Sequence, residues 1–168
     1  MSGWTLEPVR YDHPEVAGLV GAVQAEYVRR YGTGDDTVLT PADFAGAAGV
    51  FLLGRLHDVP VAMGGWRARD AAADEPGLAD GDAELKRMHV VPAVQRRGLA
   101  RALLAELERT AAAAGRRRVV LETGTAQPEA IALYLSAGYT PTEKFGLYRS
   151  EESSRCFARV LTADVRPG

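Results

Sequence analysis

Met88-His-Val-Val-Pro-Ala-Val-Gln-Arg-Arg-Gly-Leu-Ala-Arg-Ala-Leu-Leu104 is the stretch whose reading decides the fold. It reads as a buried strand, Leu85–Val91, stopped by Pro92, followed by a short turn and a helix. Gly98 and Ala100 are the small residues where the backbone enters that helix, and Arg96, Arg97 and Arg101 crowd the same place. A helix start carries unpaired N–H groups and the positive end of the macrodipole, so it attracts anions. Small residues let a phosphate oxygen approach the backbone, and the arginines add charge. A pyrophosphate is the natural guest. A plain strand–loop–helix with solvated arginines is the simpler alternative. A dinucleotide fingerprint is the rival reading, since Glu122 ends the next apolar strand at a suitable distance. It fails because Leu103 fills the third glycine position and Pro92-Ala-Val-Gln-Arg-Arg separates the strand from Gly98.

The flanking segments carry more information. Glu84-Leu-Lys-Arg-Met-His-Val90, Gln95-x-x-Gly98-x-Ala100, Leu121-Glu-Thr-Gly124 and Gln127-Pro-Glu-Ala-Ile-Ala-Leu-Tyr-Leu-Ser-Ala-Gly-Tyr139 follow one another in this order. Together they resemble the fourth strand, the acyl-CoA pyrophosphate loop, the fifth strand and the fourth helix of the GNAT superfamily of N-acetyltransferases. The resemblance covers roughly residues 82–145, with the first third of the chain matching only in its pattern of elements. Ala100 stands where many members have Gly, and Gln127 where many have Asn. The resemblance implies a single α/β domain over 1–168, with a mixed central β-sheet flanked by helices.

Composition agrees with such a domain. The chain has 168 residues, 46% of them hydrophobic and 25% charged, with a formal net charge of −2. That suits one core and gives no basic excess to expect nucleic acid as a partner. Cys156, the single cysteine, has no internal disulfide partner and points to a reducing, cytoplasmic compartment. No signal peptide or membrane-spanning run is evident, so no membrane partner is expected.

In chain order, Trp4–Arg10 alternates as a first strand. Asp12, with Pro14 and Glu15, is expected to cap a helix whose apolar stripe is Val16, Leu19, Val20, Val23, Tyr27 and Tyr31. Gly32-Thr-Gly-Asp-Asp36 ends it in an acidic loop, and Thr40-Pro41-Ala-Asp43 starts a second, shorter helix. Val50–His57 and Val61–Arg67 form a hairpin around Asp58-Val-Pro60. Residues 68–82 read as a mobile, solvated acidic loop. Leu99, Leu103 and Leu107 mark a long helix closed by Gly115, and Val119–Glu122 is a short buried strand parallel to the central one. Pro128 and Glu129 start the next helix, where Ile131, Tyr134 and Leu135 line one side and Gly138 stops it. Tyr139–Phe145 and Arg155–Val160 close the chain as strands.

The chemistry follows from the resemblance. Acetyl transfer to an amine needs a base for the ammonium, a donor for the thioester oxygen and a proton for the leaving thiolate. The resemblance implies acetyl-CoA as co-substrate, Glu84 as general base and Tyr134 as thiolate-protonating acid. Backbone groups of Met88, His89 and Val90 are expected along the pantetheine arm, and Gln95, Arg96, Arg97, Gly98, Leu99, Ala100 and Arg101 around the pyrophosphate, with Gln127 nearby. Glu122 is a rival base. Asp35 and Asp36 are able to attract a cationic amine, although loop acids usually serve solubility. Cys156 reads as a buried thiol rather than a nucleophile, and no His/Cys/carboxylate cluster suggests a metal. The acceptor is a small-molecule amine or a peptide or protein amine, and such relatives are commonly homodimers. A catalytically silent CoA-binding regulatory module is the alternative function.

Overall fold

The computed structural model describes residues 2–161; residue 1 and residues 162–168 of the expected 1–168 domain lie outside the described residues. Ten named elements follow one another: β1 (Trp4–Pro8), α1 (Pro14–Tyr31), β2 (Gly49–Leu56), β3 (Val59–Arg69), β4 (Asp82–Val90), α2 (Leu99–Ala113), β5 (Arg118–Gly124), α3 (Pro128–Ser136), β6 (Thr140–Pro141) and β7 (Ser154–Val160). Seven strands form one mixed sheet in the order β1-β2-β3-β4-β5-β7-β6. Among the described residues only β4 and β5 pair in parallel, because α2 carries the chain back across the sheet between them.

Helical and strand periodicity set the layers. On one face, Leu99, Leu103, Leu104, Leu107 and Ala111 of α2 pack with Tyr134 of α3 onto Leu52, Trp66, Leu85 and Leu121 of the sheet. Each such aliphatic side chain contributes about 1.5–3 kcal/mol by leaving water. Trp66 is fully buried and satisfies its indole by donating Nε1–H to Thr110 Oγ1 at 2.9 Å. On the other face, Val16, Leu19 and Val23 of α1 cover Phe51, Leu53 and Met63, with Phe44 beside them. A third, smaller cluster joins Val120, Cys156 and Ala158 to Leu78 and Phe145, which come from long loops.

Local expectations are met with corrections. His13, not Asp12, caps α1, its Nδ1 accepting from Glu15 N–H at 3.1 Å. Asp12 is held instead by Arg10. Thr40 and Asp43 form the expected capping box, but they start only a 3₁₀ turn, Pro41–Phe44, and a second turn over Gly46–Ala48 precedes β2. The hairpin turns at His57 and Asp58, both at positive φ, with Leu56 opposite Val59, so Val59 and Pro60 already belong to β3. Residues 70–81 are pinned rather than free. Leu78 is buried, Glu75 pairs with Arg69 and accepts Gly146 N–H at 2.7 Å, and the buried Asp82 pairs with Arg118 at 2.7 Å. Leu135, expected on the inner side of its helix, is 49% exposed. The predicted strand Tyr139–Phe145 shrinks to Thr140–Pro141, because Pro141 offers no N–H and the chain turns inward to bury Phe145.

Candidate functional site

The parallel ladder between β4 and β5 lasts three pairs, Asp82↔Arg118, Ala83↔Val119 and Glu84↔Val120. Beyond Glu84 the strands part. A bulge accompanies the parting: Lys86 faces Gly65 and His89 faces Met63, so Arg87 and Met88 together oppose Gly64. Arg87 takes φ 58°, a conformation that L residues rarely adopt. The gap between the strands is a cavity of about 70 Å³ lined by Leu85, Lys86, Arg87 and Met88 on one side and Leu121, Glu122 and Thr123 on the other. Gln127, Ala130 and Tyr134 of α3 close one end. On the α1 face it adjoins a wider cavity of about 270 Å³, the two sharing Tyr27, Asp35, Lys86, Glu122, Thr123 and Gln127.

At the far end of β4 lies the loop before α2. Gln95 donates Nε2–H to Val90 O at 2.9 Å, tying the loop to the strand it leaves. Arg96 at φ 63° and Gly98 at φ 80° then turn the backbone into α2. The first bond closing that turn runs from Ala102 N–H to Gly98 O at 3.0 Å, so the N–H groups of Leu99, Ala100 and Arg101 have no acceptor within the helix. A Cβ built on Gly98 meets nothing within 4 Å, and Gly98, Arg96 and Arg97 are exposed. This open cradle of N–H groups with two free cationic side chains fits a pyrophosphate. Leu99 contributes only its backbone, since its side chain is buried in the core. The Arg101 guanidinium donates to Ser136 Oγ at 2.6 Å and ties α2 to the end of α3.

The titratable groups divide sharply. Tyr134 is 7% exposed, its ring edge-on to Tyr139 at 5.7 Å, and burial raises its phenol above the ordinary value, so it stays protonated. Glu122 accepts from Ser154 Oγ–H at 3.0 Å and reaches both cavities. Burial raises its carboxyl above the usual range, against the Ser154 hydrogen bond and the charge of Lys86. Glu84, expected as the base, stands elsewhere. It is 2% exposed, Oε1 accepts from Arg67 Nε at 2.8 Å and Arg69 at 2.9 Å, and it is not part of either cavity wall. Its strand position directs it onto the β3 arginine opposite, Arg67 being its register partner.

Met88 borders the gap, whereas His89 and Val90 lie past it. Val90 is buried with the α2 core, and the His89 imidazole is lowered by burial and leaves Nε2 without a hydrogen-bond partner. Gln127 caps α3 and its Oε1 accepts from Thr123 Oγ1–H at 3.0 Å, fixing it at the cavity wall. Asp35 proves to be a wall residue, not a solubilising loop acid. Burial works against its charge, yet Lys86, Thr37 and Arg87 outweigh it and hold the carboxyl low. Tyr148 bridges the loops on either side of the wide cavity: its Oη accepts Asp36 N–H at 2.7 Å. No local pattern singles out Lys86, Arg87, Tyr148 or Ser154 individually, although Lys86 and Arg87 lie in the strand Glu84–Val90 that carries the resemblance, and Tyr27 and Tyr31 read as the end of an apolar stripe. Cys156 is buried under Phe145 O, and burial pushes its thiol up to about 11.

Among the described residues no three His, Cys, Asp or Glu side chains gather as a metal site, and no helix is long and apolar enough to cross a membrane. An IAA acetyltransferase of Azospirillum brasilense is 37% identical over 81 residues, 48% of this chain and 53% of that protein, so the chain spans about half the length of this relative. A Klebsiella pneumoniae structure assigned to the acyl-CoA N-acyltransferases superposes with a TM-score of 0.74 at 25% identity, over 95% of this chain and 98% of that one. A GNAT family acetyltransferase from Elizabethkingia anophelis, solved with acetyl-CoA bound, shares the fold with a TM-score of 0.67 at 14% identity, over 96% and 100% of the two chains. The family model of the acetyltransferase (GNAT) family matches residues 14–139. Because that match runs unbroken from the start of α1 to the end of α3 and takes in the open helix start and the parted strands, the chain belongs to the GNAT acetyltransferase family.

Proposed function

We propose that this protein is an acetyl-CoA-dependent N-acetyltransferase that moves the acetyl group directly to a primary amine in a ternary complex. The observation that carries the reading is the gap between β4 and β5, which holds a phenol and a carboxyl, Tyr134 and Glu122, beside a helix start open to phosphate. When bound, acetyl-CoA supplies the activated acetyl thioester. N–H groups of Leu99, Ala100 and Arg101, with Arg96 and Arg97, hold its pyrophosphate. The free edge of β4 at Met88 pairs with the amide arm and donates to the acetyl oxygen. Glu122 takes the proton from the incoming ammonium, its raised carboxyl bringing it nearer the working pH. Ser154 keeps that carboxyl oriented, and the charge of Lys86 favours its ionised form. Tyr134 gives its proton to the departing sulfur, and burial keeps that proton on the phenol until then.

Glu122 therefore replaces Glu84 as the base in this reading, because two guanidinium groups occupy Glu84 and it lines neither of the two cavities. The pairing of an acid with a base favours an enzyme over a silent CoA-binding module. The buried, unpaired Cys156 suits a reducing, cytoplasmic setting. The test is thiol release from acetyl-CoA with a panel of amines, alongside calorimetry for binding. Amine-dependent release is the expected result; acetyl-CoA binding without release from any amine overturns it.

A further inference from the structure

The wide cavity on the α1 face has walls of two kinds. Tyr27, Tyr31 and Tyr148 bring aromatic rings to it, and the Tyr27 and Tyr31 centroids lie 6.4 Å apart. The rest of the wall is electrically uneven. Glu122 and Glu151 both line it, and neither is ion-paired among the described residues. Lys86 is the one cation in that wall among the described residues, and it sits 3.8 Å from Asp35 and donates to Thr37 Oγ1 at 3.4 Å. Arg87, behind it in the gap, is committed to Asp35. An ammonium entering the cavity thus meets carboxylates that hold no ion pair, and tyrosine faces. A carboxylate entering it meets two acids and a lysine already shared.

Two further features narrow the guest. A volume of about 270 Å³ falls just under the range for drug-sized ligands, so it suits a small body. Tyr148 Oη, bonded to Asp36 N–H at 2.7 Å and to Gly34 O at 3.4 Å, ties the two loops together at the cavity wall. A cavity of that volume holds a small amine whole, whereas a peptide chain has to extend outside it. We infer that the acceptor is a small amine with an aromatic or aliphatic body and no carboxylate. The inference rests on the transferase reading above and names the substrate class for it.

The sharpest probe is a pair differing by one carboxylate. At saturating acetyl-CoA, kcat/KM for 2-phenylethylamine should exceed that for L-phenylalanine by about 10²-fold, since the carboxylate is left without a partner. L-Phenylalanine amide, with the same branching but no carboxylate, should fall much nearer the amine. Glu151→Lys, an exposed substitution that adds a cation to the wall, should narrow the phenylethylamine-to-phenylalanine ratio by about tenfold. Phenylalanine accepted as well as phenylethylamine overturns the inference and leaves the transferase reading intact. An unchanged ratio in a folded Glu151→Lys protein, with thiol still released, does the same. No thiol release from any amine, in protein that binds acetyl-CoA, overturns both.

Discussion

A carboxylate's neighbours decide what it can do, and Glu84 and Glu122 show this one β-strand apart. Glu84 lies flat in the sheet between Arg67 and Arg69, so its removal leaves two part-buried guanidinium groups without their partner. Glu84→Gln should lower unfolding stability by about 2–4 kcal/mol, read from urea midpoints, while costing far less in rate than a change at Glu122. Glu122 is raised by burial. In wild type the acid limb of kcat/KM should therefore have a midpoint above the ordinary glutamate value near ~4.3. Glu122→Gln should remove that limb and lower the rate about 10²–10⁴-fold, with recovery at high pH where the amine deprotonates unaided. A pH profile unchanged in Glu122→Gln moves the base elsewhere. Tyr134→Phe keeps the edge-on ring contact with Tyr139 but removes the donor. It should lower kcat by a similar factor with little change in acetyl-CoA affinity; near-normal kcat would make Tyr134 a packing residue.

At the scale of the element, the start of α2 is open because its N-cap is a glycine. Gly98 holds φ 80°, and no protein atom lies within 4 Å of where its Cβ would be. Gly98→Ala should therefore cost about 1 kcal/mol of backbone strain with binding partly retained. Gly98→Glu places a carboxylate where the N–H groups face an anion, so it should abolish acetyl-CoA binding in calorimetry while circular dichroism stays native. Unchanged affinity in folded Gly98→Glu removes this loop from the cofactor site. The β2–β3 turn offers an independent check of backbone reasoning. His57 and Asp58 both take positive φ in a two-residue turn. Asp58→Gly should raise stability by about 0.5–1 kcal/mol, and a lower melting temperature would show that the Asp58 side chain contributes something the turn geometry does not.

For the whole molecule, the two faces of the sheet do different work. α2 and α3 lock one face, while α1 and the loop 142–153 wall the wide cavity on the other. His89 is part of that second face and is held below its ordinary value by burial, with Nε2 unpartnered. Between its folded value and about 6.5 the unfolded chain binds a proton that the folded chain does not. Stability therefore rises with pH across that window and is lost as pH falls through it. Urea midpoints at pH 7.5 and pH 5.5 should show a larger loss in wild type than in His89→Leu; equal losses would mean that His89 is not charged on unfolding.

The sequence by itself determined the order of the elements and the helix start at Gly98, because caps, glycines and periodicity act within a few residues of one another. The stripe of α1, the crossover through α2 and the placing of Tyr134 on α3 were legible in the same way. Tertiary structure alone decided which acid is free. Glu84 meets Arg67 only because β3 and β4 pair in that register, and Glu122 escapes a similar pairing because β5 has already left β4. Asp35, 52 residues from Arg87, became a buried wall residue through that contact, and Tyr148 met Asp36 across 112 residues. Contacts at such separations depend on how faces pack and where strands part, and no local pattern in the chain encodes them.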